Sequence, residues 1–85
     1  MMSLEQQFEE AKIKSKTIAT KPSNDILLKI YALFKQSTEG DVKGDKPGFF
    51  DMVGQAKYKA WEEQKGKSKE EAQQNYIDLI NSLTQ

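Results

Sequence analysis

The segment from residue 26 to residue 34 constrains the fold most, because its apolar side chains cover more than half of a helical cylinder. These side chains are Ile26, Leu27, Leu28, Ile30, Tyr31, Leu33 and Phe34. A helix with so much apolar surface usually packs against several neighbours. Pro22, Ser23, Asn24 and Asp25 supply capping groups and negative charge at its start. Gly40 can take the left-handed conformation that ends helices, so we expect an end near residues 37–39.

Three further helices follow from caps and periodicity. Ser3 and Gln6 have capping-box spacing, and Leu4, Phe8 and Ala11 then share one face of a first helix. This helix should fade near residues 15–17.

Asp51 can cap a third helix over about residues 52–64, which Gly66 would end. Ser68 and Glu71 form a second capping box, and the fourth helix carries the apolar stripe Ala72, Tyr76, Leu79, Ile80 and Leu83. No segment alternates with period two for long enough to form a strand. The sequence therefore predicts one all-α domain over residues 1–85, a compact four-helix bundle.

Composition removes several classes of function. The 85 residues include neither cysteine nor histidine, so disulfides, thiolate catalysis, common zinc sites and the commonest general base are missing. Thirteen lysines balance thirteen acidic residues, whereas a general nucleic-acid binder would show a basic excess. No apolar run is long enough to span a membrane, and the first ten residues do not resemble a signal peptide. We therefore expect a monomeric cytoplasmic protein without metal, cofactor or stable membrane insertion.

The segment from Gly40 to Phe50 has the glycines and proline of a loop and exceeds typical helix connections, a property often linked to function. The stretch from Asp41 to Met52 has the length of a calcium-binding loop but does not fit one, because Lys46 and Met52 stand where glycine and glutamate are required. The fragment from 66 to 68 resembles the end of a phosphate-binding loop, but Trp61 replaces the first glycine.

One set of aromatic and lysine side chains has the chemistry of a ligand-binding site. Tyr31 and Lys35 are four residues apart on the second helix, and Lys57 and Trp61 repeat this spacing on the third. An aromatic face can stack on a base, and nearby lysines can neutralise phosphate. Aromatic residues at helical spacing are more often core residues, and lysines beside them are more often solvated. Spacing alone therefore leaves both interpretations open.

The chain from Pro22 to Asp41 resembles the signature of the acyl-CoA-binding protein family. It reads PSNDILLKIYALFKQSTEGD and meets the family's proline, acidic, tyrosine, Lys-Gln and glycine positions. The resemblance continues through Lys46-Pro47-Gly48, Ala56-Lys57-Tyr58, Ala60-Trp61, the segment 65–68, and from Ala72 to Ile77. It implies an up-down-down-up four-helix bundle. It also implies a carrier and pool former, not an enzyme, that binds medium- to long-chain fatty acyl-CoA esters in a surface groove.

The resemblance further implies residue roles. Tyr31 is expected to stack near the adenine and touch the ribose 3′-phosphate, which Lys35 and Lys57 would neutralise. Tyr76 would contact the nucleotide end, and Lys16 would be an auxiliary cation. The residues expected to flank the acyl chain are Leu27 and Leu28.

Three positions depart from the common family pattern. Phe34 replaces a frequent tyrosine, Tyr58 a frequent tryptophan, and Lys12 a small alanine beside the groove. Lys12 would either crowd the tail or add a phosphate contact.

The other functions considered are a helical interaction module, a thioesterase-like enzyme and a lipid-surface protein. The missing histidine and cysteine argue against the enzyme, and the lack of a basic amphipathic helix argues against the lipid-surface protein.

Overall fold

The computed structural model describes residues 1–84 and consists of four α-helices joined by turns and one long loop. The helices are α1 (Leu4–Lys14), α2 (Asn24–Glu39), α3 (Met52–Glu62) and α4 (Lys69–Thr84), with a short 3₁₀ helix at Ser15–Thr17. No strand occurs over the described range. The prediction of an all-α four-helix bundle is therefore confirmed, as is the long loop between α2 and α3.

Side-chain caps define the four helix starts, as the sequence predicts. Ser3 and Gln6 form a reciprocal capping box, in which each side chain accepts from the backbone N–H of the other residue. The remaining acceptors are Ser23 for the N–H of Ile26, Asp51 for Gly54, and Ser68 for Glu71. These bonds satisfy N–H groups that lack partners within the first helical turn.

The helix ends differ slightly from expectation. Gly40 follows α2 with a φ of 82°, but its ψ of −151° lies outside the left-handed helical region. Helix α3 ends at Glu62, two residues before its predicted end at residue 64. A turn then leads to Gly66, whose φ is 96°. Glycine reaches both conformations without the Cβ clash that other residues meet.

The helices pack in the spatial order α1, α4, α2, α3, so α2 has a neighbour on each side. The indole N–H of Trp61 donates to the carbonyl of Gly40 at 2.8 Å, which joins the carboxyl ends of α2 and α3. The amide of Gln36 donates to the carbonyl of Lys67 at 2.8 Å, which joins the end of α2 to the start of α4. Helix α3 is therefore parallel to α2, and α4 is antiparallel to it. These directions agree with the down-down-up order expected for α2, α3 and α4.

The core lies mainly between α1, α2 and α4. Its buried side chains are Phe8, Ala11, Leu33, Tyr76, Ile77 and Ile80. Helix α3 packs on α2 through Ala60 and Trp61, both of which are buried. The predicted apolar faces of α1 and α4 are thus confirmed, whereas Ile77 is a core residue outside the predicted stripe. None of the helices within residues 1–84 combines the length and apolarity needed to cross a bilayer.

Candidate functional site

The first cation–aromatic pair lies between α2 and α3. The ammonium of Lys57 lies 5.3 Å from the ring centroid of Tyr31, which is half-buried on α2. At this distance the cation is attracted by the negative face of the ring. The parallel packing of α2 and α3 brings together two residues that are 26 positions apart in the chain, and both belong to the predicted ligand site.

A second pair lies further along the same interface. The ammonium of Lys35 lies 5.2 Å from the ring centroid of Trp61, and it forms an ion pair with the carboxylate of Glu39. The hydrogen bond from Lys35 lowers the pKa of Glu39, and the same bond raises the pKa of Lys35. Lys35 is therefore a protonated cation throughout the neutral pH range. Glu39 was not among the predicted site residues, although its i, i+4 spacing from Lys35 is a signal for such a pair.

An aromatic cluster occupies the other side of α2. The rings of Phe8 and Tyr76 meet edge to face with centroids 5.2 Å apart, and Phe34 lies 6.3 Å from each of them. Tyr76 is only 3% exposed. The residue expected to contact the nucleotide is therefore also a core residue, and it offers a ligand little more than the edge of its side chain.

A groove of about 420 Å³ runs over this cluster. It is lined by Glu9, Lys12, Ile13, Ser15, Lys16, Phe34 and Tyr76. The groove brings together two predicted site residues, Lys16 from the 3₁₀ helix and Tyr76 from α4. It also contains Lys12, whose ammonium bonds to the carboxylate of Glu9 at 2.8 Å and lies 5.3 Å from the ring centroid of Phe8.

A second groove of about 480 Å³ follows the interface between α2 and α3. Leu28, Ala56 and Ala60 supply its apolar lining, and charged side chains such as Asp25 and Lys59 stand among its other lining residues. Leu27 does not line this groove, and 37% of its surface is exposed. Of the two leucines expected beside an acyl chain, Leu28 lines this groove and Leu27 does not.

The predicted site residues thus fall on the two sides of α2. Tyr31, Lys35 and Lys57 lie at the interface with α3, which also contains the groove of Leu28. Lys16 and Tyr76 lie in the groove formed with α1 and α4. The fold and these contacts define a class: a small helical domain with lysine–aromatic pairs and a partly apolar groove at one helix interface, features that suit an anionic, amphipathic ligand.

Comparison with known proteins narrows this class to one family. Residues 5–80 match the sequence model of the family described as "Acyl CoA binding protein". The chain belongs to the acyl-CoA-binding protein family.

Both sequence and structure relatives cover most of the chain. It is 54% identical over 76 residues to "Acyl-CoA-binding protein homolog 1" of Caenorhabditis elegans, an alignment that covers 89% of this chain and 88% of the relative. The crystal structure of Oryza sativa Acyl-CoA-Binding Protein 2 superimposes with a TM-score of 0.91 at 41% identity, covering 95% of this chain and 90% of the other. These relatives confirm the predicted family and its fold.

A third relative shows the domain in a longer chain. "Enoyl-CoA delta isomerase 2" of Rattus norvegicus is 44% identical over 84 residues, which cover 99% of this chain but 22% of the isomerase. The region similar to this chain is therefore a minor part of that protein.

Proposed function

We propose that this protein binds medium- to long-chain fatty acyl-CoA esters in a surface groove beside α2 and acts as an intracellular acyl-CoA carrier and pool former. The observation that carries the proposal is the position of Lys57 over the ring of Tyr31, at the interface that also holds the apolar groove of Leu28. A cation, an aromatic face and an apolar groove at one helix interface match the phosphate, adenine and acyl chain of the ligand.

In this proposal the nucleotide is bound mainly between α2 and α3. Tyr31 stacks near the adenine and touches the ribose 3′-phosphate, which Lys35 and Lys57 neutralise. A lysine about 4 Å from a phosphate charge gains roughly 4 kcal/mol at an effective dielectric constant near 20, before its desolvation is subtracted. Tyr76 and Lys16 contact the nucleotide end from the other side of α2, where they share a groove.

The acyl chain lies along Leu28, and Leu27 covers it from the exposed side of α2. Each methylene removed from water contributes about 0.8 kcal/mol, so burial of ten methylenes offers roughly 8 kcal/mol before ordering is counted. The tail therefore supplies most of the affinity. The nucleotide contacts supply the preference for the CoA ester over the free fatty acid.

We propose that the protein catalyses no reaction and needs no metal or cofactor. Its chain lacks histidine and cysteine, which removes the side chains that most often act as general base, thiolate nucleophile or zinc ligand. The net charge of zero supports a function without nucleic acid. We further propose a single domain that is monomeric and cytoplasmic and does not insert stably into membranes.

Isothermal titration with palmitoyl-CoA tests the proposal, with free CoA and palmitate as controls. We expect one-to-one binding that is far tighter than the binding of either control. Equal affinity for palmitate and palmitoyl-CoA would contradict the assigned nucleotide contacts. Absence of binding to palmitoyl-CoA would contradict the proposed function. Prolonged incubation should release no free CoA, which chromatography of the mixture would check.

A further inference from the structure

The groove over the aromatic cluster contains a lysine with no assigned role. Lys12 lies on α1, one turn before Lys16, and both side chains line the groove together with Phe34 and Tyr76. The ammonium of Lys12 lies 5.3 Å from the ring centroid of Phe8, the aromatic residue that packs edge to face against Tyr76. Lys12 therefore presents its charge beside the aromatic residues of the groove.

A carboxylate of the same groove already binds this lysine. The ammonium of Lys12 lies 2.8 Å from a carboxylate oxygen of Glu9, while the side chains are 33% and 59% exposed. Lys16 is exposed and forms no ion pair within residues 1–84. Two lysines against one glutamate leave the groove lining with one net positive charge. An incoming anion would meet Lys16 directly and would compete with Glu9 for Lys12.

Lys12 would either crowd the acyl chain or contact a phosphate, and its place in the structure distinguishes these two effects. A lysine that crowded the acyl chain would have to lie in the groove of Leu28, Ala56 and Ala60. Lys12 does not line that groove. It lines the groove of Lys16 and Tyr76, which reaches α2 at Phe34. The geometry therefore favours contact with an anionic part of the ligand over contact with its tail.

We propose that Lys12 binds the 5′-diphosphate of CoA together with Lys16, and that Glu9 holds Lys12 in the free protein and releases it to the ligand. This inference rests on the proposed function. CoA carries two separate anionic groups, the ribose 3′-phosphate and the 5′-diphosphate. Lys35 and Lys57 lie at the interface of α2 and α3, and the proposal assigns the 3′-phosphate to them. Lys12 and Lys16, which line the other groove, are then available for the diphosphate.

The substitution Lys12→Met tests the contact, because methionine keeps most of the stem over Phe8 and removes the charge. We expect affinity for palmitoyl-CoA to fall by roughly two- to fivefold, the upper part of the range for one exposed charge pair. The loss should be the same for palmitoyl-3′-dephospho-CoA, since the diphosphate remains in that ligand. Lys14→Met is the matched control, because Lys14 lies on the same helix and pairs with Glu10 at 3.5 Å but does not line this groove. It should bind both ligands like the wild type.

The competition by Glu9 has its own test. Glu9→Gln should raise affinity for palmitoyl-CoA by roughly two- to fivefold, and Glu10→Gln, its control, should change it less. The gain should disappear when Glu9→Gln is combined with Lys12→Met. A gain that persists in full in the double variant would show that Glu9 acts by general repulsion, and it would overturn the proposed release of Lys12.

The remaining outcomes separate this inference from the proposed function. Unchanged or increased affinity in Lys12→Met, with tight binding by the wild type, would overturn the role of Lys12 and leave the carrier function intact. A loss seen with palmitoyl-CoA but not with its 3′-dephospho form would move Lys12 to the 3′-phosphate and overturn the diphosphate assignment. Failure of the wild type to bind palmitoyl-CoA would instead contradict the proposed function itself.

Discussion

Lys35 is bound by Glu39 while its ammonium lies 5.2 Å from the ring centroid of Trp61. Glu39 also lies within 3.7 Å of the ammonium of Lys43, so one carboxylate is shared by two lysines. Trp61 is in turn held by the bond from its indole N–H to the carbonyl of Gly40. The aromatic surface under Lys35 is therefore fixed at the end of α2, and the cation is positioned before any ligand arrives.

Replacing Lys35 by methionine should weaken binding of palmitoyl-CoA by roughly 10- to 100-fold, because a hydrogen bond between charged groups contributes about 1.5–3 kcal/mol. The methionine stem can still pack on Trp61, so the fold should be unaffected. Titration calorimetry measures the affinity, and urea denaturation checks stability. Lys14→Met again serves as the control. Unchanged affinity in Lys35→Met would count against the site between α2 and α3.

The two possible roles of Tyr76 can be separated by a pair of substitutions. Tyr76→Ala should lower the free energy of unfolding by roughly 3–5 kcal/mol, because it leaves a cavity beside Phe8 and Phe34. Tyr76→Phe keeps the ring and should change stability by less than about 1 kcal/mol. If the hydroxyl contacts the nucleotide, Tyr76→Phe should still bind palmitoyl-CoA a few-fold more weakly, by roughly the contribution of one hydrogen bond. Wild-type affinity in Tyr76→Phe would reduce its role to packing.

The affinity gained from the acyl chain should depend more on Leu28 than on Leu27, because Leu28 lines the groove with Ala56 and Ala60 and Leu27 does not. Titration of wild type and variants with acyl-CoA esters of increasing chain length gives the gain in affinity per methylene. Leu28→Ala should decrease this gain, which is at most about 0.8 kcal/mol for a fully buried methylene. Leu27→Ala is the matched comparison and should decrease it less. The reverse order would place the tail on the exposed side of α2.

Asp41 should make stability depend on acid pH. Its carboxylate accepts from the N–H of Gly66 and from the amide of Gln36, both at 2.9 Å, and these bonds lower its pKa. A carboxyl whose pKa is lowered by folding stabilises the protein above its unfolded pKa, and the contribution is lost as pH falls through the folded pKa. Asp41→Asn should therefore flatten the decline in the urea midpoint as the pH falls through the ordinary aspartate pKa of 3.8 and below it. Asp45→Asn, in the same loop, is the control, and equal slopes in both variants would refute the assignment.

Gln36 links this loop contact to two helices. Its side chain is fully buried, and its amide donates both to Asp41 and to the carbonyl of Lys67. These bonds connect the end of α2, the long loop and the start of α4. The sequence does not identify Gln36 as a buried polar link, because its partners lie 5 and 31 positions away and local periodicity does not specify them.

The sequence by itself determined the helices and their starts. Caps such as Ser3 with Gln6 and Ser23 with Ile26 act between residues three positions apart, and apolar periodicity is also local. Both signals can therefore be read without knowing the neighbours of a helix. The same local signals indicated a helix α2 with partners on more than one side, and resemblance to the family supplied the bundle topology.

Only the tertiary structure decided which residues of the site meet. Within each helix, the sequence pairs Tyr31 with Lys35 and Lys57 with Trp61. The parallel packing of α2 on α3 exchanges these partners, so that Lys57 lies over Tyr31 and Lys35 over Trp61. Elsewhere in the bundle, Tyr76 is buried against Phe8 and Phe34, Leu27 is exposed, and Lys12 lies in the groove of Lys16. These outcomes depend on how whole helices pack, and contacts between distant residues leave no periodic signal in the chain.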